Sequence, residues 1–565
     1  MGIPGLWKEI GEGELVSIAE LATDHYGKHG RPFRVAVDEA GWRFNNLTEA
    51  ALKAIREKEP AANTIEKTIM YRILNLMMRN IQMIFVFDGP RRPWKRNRQG
   101  GNKVDYGRTR LLRQVLDHLK IPHHEAPGEA EAECAAMQRL GIVDAVWTDD
   151  SDALMFGATC IVRAHKTGHQ WSKDKVYVHR QDKILSDYDL DPESFVLFAM
   201  LAGGDYDPKG LPGCGPKTAM LLSRKQHGIA HALCHASAYD LPVWRALLEE
   251  AMLSQGIRKQ IAANFPDQKA LKYSCHPTLS TFEQLHNLRG LRNGWHRRID
   301  QPKLRALFRE RFNFSTKNFI KHLAPVFMVQ HLATTTPRDK AALVARYDIQ
   351  LKKTRKKQAE SVDDAEFERK VTFYPLPAIE IDISTAPDDE DWSSMGERGS
   401  RYDPAARVEC SLLNCLLQGL PEESLANLEP QVQPRNRNGD THTAIEPNAR
   451  KGTSHRASLA SPSQPIEISH ASGETTPRKR GRPRKETATT QAEGVTSQPT
   501  PKKRGRPSED ATAASPAQSA KKLEETTDVV DLCESPTPPP PPGSHFRYLP
   551  TLPTEIPAID LTHLP

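Results

Sequence analysis

From residue 30 to about 225, short apolar runs alternate with longer amphipathic stretches. RVAVDEA (34–40), MIFVFDGP (83–90) and DAVWTDDSDALMFG (144–157) each open on β-branched or aromatic residues and end in acids. Between them, TIEKTIMYRILNLMMRNIQ (64–82) spaces its apolar residues as one face of a helix. Strands alternating with helices predict an α/β fold built on a mainly parallel sheet. Residues 192–330 show few strand-like runs and read as helical. Between 345 and about 430, KVTFYPLPAIEIDIS is strand-like and VECSLLNCLLQGL reads as a helix, which predicts a small α+β module. The last stretch, from Pro430, holds 21 of the chain's 43 prolines and much Ser, Thr and Lys, a composition too poor in apolar surface to order itself.

At 565 residues the chain is too long for a single core. No window offers the roughly 18–20 apolar residues of a membrane span. The opening MGIPGLWKEI lacks the shape of a signal peptide, and Leu6 stands where a myristoylation signal needs Ser or Thr. Eight scattered cysteines without a CxxC pair argue against a zinc or disulfide framework and for a reducing compartment. The net charge of +7 is modest, but bases cluster. Residues 89–113 hold nine Lys/Arg against Asp105, and 289–321 hold ten against Asp300 and Glu310. Two such runs beside acidic clusters favour a nucleic-acid partner over solvated helix faces.

Parallel strands point one way, so residues at their carboxyl ends gather along one edge. Asp38, Asp88 and Asp150 each end a predicted strand and are expected to converge. On an extended segment Asp150 and Asp152 share a face while Asp149 points away. APGEAEAECAAMQ (126–138) opens a helix and adds Glu129, Glu131 and Glu133; helical spacing pairs Glu129 with Glu133, and Glu131 joins Glu129 if the first turn is irregular. For Glu133 a helix-start role suffices. Asp205 and Asp207 sit in the turn LAGGDYDPKG (201–210). Carboxylates this crowded raise one another's pKa unless a cation offsets them. Hard oxygen donors suit Mg2+ or Mn2+, and a pair of such ions suits phosphodiester hydrolysis. An EF-hand is excluded, because Leu154 takes the fifth loop position of DDSDALMFG and no glycine takes the sixth. KGLPGCGPKTAM (209–220) fails as a P-loop, with Pro216 where the lysine belongs and Lys217 one place late, so a nucleotide-driven motor is not expected. It remains a glycine-rich turn opening a helix, either a phosphate cradle or an ordinary turn.

MGIPGLW, AVDEA, VFDGP, APGEAEAE, TDDSDAL, GGDY and GLPGCGPKTA occur here in the order found in the XPG/flap-endonuclease superfamily of structure-specific nucleases, and the resemblance covers roughly residues 1–330. It implies a PIN-like α/β nuclease with an N-terminal segment (1–100) and an internal segment (118–205), then a helix–two-turn–helix DNA-binding segment (206–335). The 345–430 module resembles a chromodomain position, and 431–565 is the expected disordered tail. The resemblance implies metal-binding acids at Asp38, Asp88, Glu129, Glu131, Asp150, Asp152 and Asp205, with two Mg2+ ions (Mn2+ substituting). It implies catalytic roles for Asp38, Glu129, Glu131, Asp150, Asp152 and for Lys95, which lies where the family stabilises developing phosphate charge. It places DNA contacts at Gly2, Arg91, Arg92, Lys95, Arg96, Gly213, Gly215, Lys217 and Thr218, and a K+ ion at the turn from Gly210 to Thr218.

Asp88 to Glu129 spans 41 positions, short for the helical arch through which flap endonucleases thread a strand. The chain therefore resembles the eukaryotic Holliday-junction resolvases of the GEN/Yen group, which implies paired nicks in four-way junctions by a dimer formed on the DNA. A 5′-flap endonuclease is the near alternative, and a non-catalytic junction-binding scaffold the alternative from another class. In the tail, PRKRGRPRK (477–485) and KKRGRP (502–507) resemble AT-hooks, giving Arg480, Arg482, Arg504 and Arg506 as minor-groove or nuclear-import residues. Ser461, Ser515, Ser535, Thr476, Thr500 and Thr537 precede prolines and suit cell-cycle kinases, while DVVDLCE (528–534) resembles a SUMO-binding strand. Both readings of the basic motifs imply the nucleus.

Overall fold

The computed structural model describes residues 2–44, 49–58, 63–95, 105–167, 170–352, 367–383 and 403–418. Arg96 and everything expected of the tail, including Arg480, Arg482, Arg504, Arg506, the Ser/Thr-Pro sites and DVVDLCE, lie outside those residues.

Among the described residues, ten strands run in chain order as β1 (Glu14–Ser17), β2 (Arg34–Asp38), β3 (Gln82–Phe87), β4 (His123–Glu125), β5 (Ala145–Trp147), β6 (Cys160–Thr167), β7 (Gln170–Arg180), β8 (Gln350–Leu351), β9 (Glu368–Phe373) and β10 (Val408–Leu413). The first seven form one sheet of order β1-β7-β6-β5-β2-β3-β4. Pairings from β6 through β4 are parallel, and β7 and β1 close the far edge antiparallel. Parallel strands are covered by helices on both faces, so their side chains are buried whichever way they point. Val35, Val37, Phe85 and Phe87 face one core, and Ala36, Ile84 and Val86 face the other. Trp42 packs edge-on to both Phe85 and Trp147 at 5.5 Å, which ties the first core across three strands. Burying each such aromatic contributes on the order of 2–3 kcal/mol.

The helix over Thr64–Met78 and the strand that follows it lie where periodicity puts them. Much of the 41-position span between Asp88 and Glu129 is ordinary crossover. The helix Tyr106–Leu119 buries Leu112, Val115, Leu116 and Leu119 and returns the chain to β4 beside β3. Only residues 89–105 are left for an arch, which is shorter still than the sequence suggests.

The segment beyond Pro192 is helical. Pro192–Ala202 is almost wholly buried, a turn over 203–215 follows, and Pro216–Leu222 begins with Gly215 as its N-cap. Near the end of the described chain, β10-β9-β8 make a small antiparallel sheet. Here two expectations are corrected. VECSLL is the strand β10, not a helix, because its register against β9 runs unbroken from Val408–Phe373 to Leu413–Glu368. Helix is confined to Asn414–Leu417. The strand expected over KVTFYPLPAIEIDIS stops at Phe373, where Pro375 and Pro377 impose a turn with a short 3-10 helix at Leu376–Ala378. Val371, Phe373, Leu412 and Leu416 join the same core as the Thr316–Thr334 helix. No helix among the described residues is long and apolar enough to cross a membrane.

A candidate nuclease site at the carboxyl edge of the sheet

The three adjacent central strands β5, β2 and β3 point their carboxyl ends to one edge. Asp38 is the last residue of β2, where Thr148 Oγ1 donates to its Oδ2 at 2.9 Å and the Ala40 N–H to its Oδ1 at 3.0 Å. Asp88 follows β3 and accepts from the Ala130 N–H at 3.1 Å and from Arg92 at 2.8 Å. It therefore caps the helix that carries the glutamates.

That helix runs Ala130–Arg139, with Glu129 outside it in extended conformation at the N-cap. The extended backbone is the irregularity that lets Glu129 meet Glu131. Glu129 does not share a face with Glu133. Glu133 stands in the helix's first turn as expected and, fully buried, also accepts from the Ser280 N–H at 3.0 Å and pairs with His124 at 2.8 Å, so it ties the helix to the helical segment as well. Asp150 and Asp152 also meet, but not along a strand. β5 ends at Trp147, Asp150 lies in the following turn, and Asp152 opens the short Asp152–Met155 helix. A hydrogen bond from the Asp152 N–H to Asp150 Oδ1, 3.1 Å, holds the two carboxylates side by side.

Glu131, Asp150 and Asp152 each place an oxygen within 4.8 Å of the others, and all three are buried. Asp152 Oδ2 has no hydrogen-bond partner. In this structure the positive charge comes from Lys95, whose ammonium lies 2.7 Å from Glu129, 3.0 Å from Asp205, 3.2 Å from Glu131 and 4.0 Å from Asp152. Tyr206, which sequence reasoning passed over within GGDY, donates its hydroxyl to Glu129. Gly2, buried at φ +83°, packs on the cluster; a Cβ there would stand 2.2 Å from Asp150 Oδ1 and 2.5 Å from Ser151 Oγ. The neighbouring Ile3 N–H donates to Ser151 Oγ at 2.8 Å.

Other expected residues lie further out. Arg92 spends its guanidinium on Asp88, and Arg91 is exposed with its backbone tied to Pro127. Gly213 and Gly215 line the turn with Lys217 exposed and Thr218 half-buried on the next helix. Gly5 brings the N-terminal segment against Pro216, so that turn and the acids share one neighbourhood.

Burial raises the carboxyls first and their mutual repulsion adds to it. Asp150 is pushed up to about 6 and Glu131 to about 7, with Lys95 pulling Glu131 back. Asp38 and Asp152 are held well above the ordinary range by burial, then by Glu131 and by Asp150 respectively. Burial opposes the charge on Lys95, but Glu131 and Glu129 outweigh it and hold its pKa well above that of a free lysine. A folded state that keeps protons the unfolded chain has lost is less stable as pH rises. The cluster's own contribution to the stability of the metal-free protein therefore grows as pH falls toward the unfolded carboxylate values, while His25 and His179, pushed down to about 4 chiefly by burial, act in the opposite direction over the same window. Relieving the cluster by Asp152→Asn is thus expected to raise melting in EDTA more at about pH 7.5 than at about pH 5.5. A gain that is larger at the lower pH refutes this account of the cluster.

Residues 120–205 match the XPG I-region family. Flap endonuclease 1 of Methanopyrus kandleri is 33% identical over 194 residues, 28% of this chain and 56% of that protein. Flap endonuclease 1 of Branchiostoma floridae is 25% identical over 310 residues, 48% of this chain and 80% of that protein. Among solved structures, the Holliday junction-resolving enzyme GEN1 in complex with product DNA and Mg2+ superposes with a TM-score of 0.60 at 30% identity, over 75% of this chain and 98% of that one. The eukaryotic junction-resolving enzyme GEN-1 binding with potassium gives 0.61 at 29% over the same shares. Acids delivered by parallel strands to one edge, backed by a helical segment with a glycine-rich turn, define a structure-specific nuclease. The chain belongs to the XPG/flap-endonuclease superfamily.

Proposed function

We propose that this protein resolves Holliday junctions, placing paired symmetric nicks near a four-way branch in homologous recombination and DNA repair. The likeness to junction-resolving enzymes carries the reading, since it spans 75% of this chain and 98% of those chains. We read the small β8–β10 sheet as a chromodomain-like module. The short span left for an arch supports a wide branched duplex over a threaded single strand.

The donor set fits hard divalent ions: oxygen ligands only, buried, with one orphaned oxygen at Asp152 and an ammonium holding the place of a cation. Asp38, Asp88, Glu129, Glu131, Asp150, Asp152 and Asp205 are the residues that would hold two Mg2+ ions, with Mn2+ able to substitute. Bound there, such ions supply Lewis-acid polarisation of the scissile phosphate and a more acidic attacking water. Lys95, whose ammonium lies among these carboxylates, would stabilise negative charge developing on the phosphate oxygens. Gly2, Arg91, Arg92, Arg96 and the turn with Gly213, Gly215, Lys217 and Thr218 hold the duplex, with K+ at that turn. Two protomers, one per strand, match the symmetry of the substrate. Nuclear residence, with tail contacts to SUMO and cell-cycle kinases, follows from the sequence motifs.

The sequence relatives are flap endonucleases, which favours a 5′-flap activity as the second reading. A scaffold has no use for mutually repelling buried acids. Labelled four-way junctions and 5′ flaps incubated with Mg2+ separate the three. Symmetric, ligatable nicks from the wild type are the expected result; cleavage of flaps alone favours the second reading, and binding without cutting favours the scaffold.

A further inference from the structure

A second group of metal-ligating side chains lies away from the acids. The Pro192–Ala202 helix presents Glu193 in its first turn, and the Ile229–Cys234 helix with its C-cap His235 packs beside it. His231 and His235 are four positions apart and so share one helical face. His231 Nδ1 lies 2.9 Å from Glu193 Oε2, and His235 Nε2 lies 3.0 Å from Glu193 Oε1. The two imidazole rings lie 4.3 Å apart.

The plain reading is a carboxylate hydrogen-bonded by two surface histidines. Ion pairs this exposed contribute little to stability and do not require a second ring. Both oxygens of one carboxylate are instead each matched by a separate imidazole nitrogen. Bonds of roughly 2.0–2.2 Å to a tetrahedral ion need neighbouring donors about 3.3 Å apart, a separation these side chains can take up by small rotations from where they stand. All three donor atoms fall within 4.8 Å of one another. The side chains of His231, His235 and Glu193 are 72%, 61% and 32% exposed, which leaves room for water in the remaining positions.

We propose that Glu193, His231 and His235 form a binding site for a first-row transition metal ion, with Zn2+ the best match, that staples the Ile229–Cys234 helix to the Pro192–Ala202 helix. Two nitrogens and one oxygen select a borderline-soft ion, whereas the all-oxygen edge selects a hard one. The site is therefore chemically distinct from the nuclease centre. Its position gives it a purpose. The Pro192–Ala202 helix runs directly into the glycine-rich turn, where the Leu211 N–H donates to Leu201 O at 2.9 Å. Fixing the start of that helix steadies the element expected to grip duplex DNA. Cys234 and Cys275 touch each other nearby and are a competing pair of soft donors.

The test uses the full chain in an Asp152→Asn background, which weakens the acid edge as a competitor for metal. Zn2+ is titrated against a chromophoric chelator, with thermal melting followed in parallel. One equivalent should bind and raise the melting temperature. The double substitution His231→Gln/His235→Gln, and separately Glu193→Gln, should weaken that equivalent at least tenfold, while Cys234→Ser leaves it in place. Melting in EDTA checks that each variant is folded, and Glu193→Gln keeps the test sharp if the double variant is not. Unchanged Zn2+ binding in the folded histidine or glutamate variants overturns the proposal. So does a loss confined to Cys234→Ser, which assigns the ion to the thiols.

Discussion

Asparagine in place of Asp152 is expected to slow phosphodiester cleavage roughly a thousandfold while raising the melting temperature of the metal-free protein. Asp152 is 1% exposed, its Oδ2 has no hydrogen-bond partner, and it lies in the cluster with Glu131 and Asp150. A buried carboxylate raised by burial and by Asp150 destabilises the fold at neutral pH, so an amide of equal shape relieves repulsion. The same change withdraws a donor from the proposed ion site. If ion and carboxylate together supply about 4 kcal/mol of charge stabilisation in the transition state, their loss costs roughly a thousandfold in rate. Junction affinity should change little, because DNA is gripped elsewhere. Single-turnover cleavage, gel-shift binding and melting in EDTA check the three parts. A variant that cuts at near wild-type rate would remove Asp152 from the chemistry.

Gly2→Ala is expected to lower cleavage on the order of a hundredfold with little effect on the fold. The methyl would arrive 2.2 Å from Asp150 Oδ1 and 2.9 Å from Asp152 Oδ1, at a φ of +83° that already disfavours any side chain by about 1–2 kcal/mol. Either the terminus lifts, breaking the Ile3 to Ser151 hydrogen bond, or the carboxylates move. Displacing reacting groups by about 1 Å costs about two orders of magnitude. Of the core, the change adjoins Ile3 at the chain's end, so the melting temperature in EDTA should fall by no more than a few degrees. Equal losses of activity and stability would show that Gly2 matters for folding alone.

The nuclease edge was legible because strands that are buried on both faces have no other reason to end in acid. AVD, VFD and VWTDD announce their direction and their terminus together. What the linear text could not give was the backbone path after each strand. Asp150 and Asp152 meet through a turn and a helix start, and Glu129 meets Glu131 because the N-cap residue is extended. The antiparallel edge of β7 with β1 was not visible, since ELVS is four residues with two of them exposed. VECSLL misled because Leu412, Leu413, Leu416 and Leu417 have helical spacing, while strand pairing with β9 decides the first half. The tie that Glu133 adds to its helix-start place was not legible, because its partners, His124 and Ser280, sit nine positions before it and 147 after it.

The base of the crossover after β3 is pinned on both sides. The Gly89 N–H donates to Gly128 O at 2.8 Å and the Arg91 N–H to Pro127 O at 3.0 Å, while the approach is so close that a Cβ on Gly89 would meet Ala126 O at 1.7 Å. Anything inserted beyond Lys95, whose ammonium is itself tied to Glu129 and Asp205, is thus attached to a rigid mount that holds Asp88 and Glu129 at fixed separation. Lengthening or exchanging that insert should leave the ligands in register. A substrate range can diverge across relatives through this one graft point, without renegotiating the chemistry beneath it.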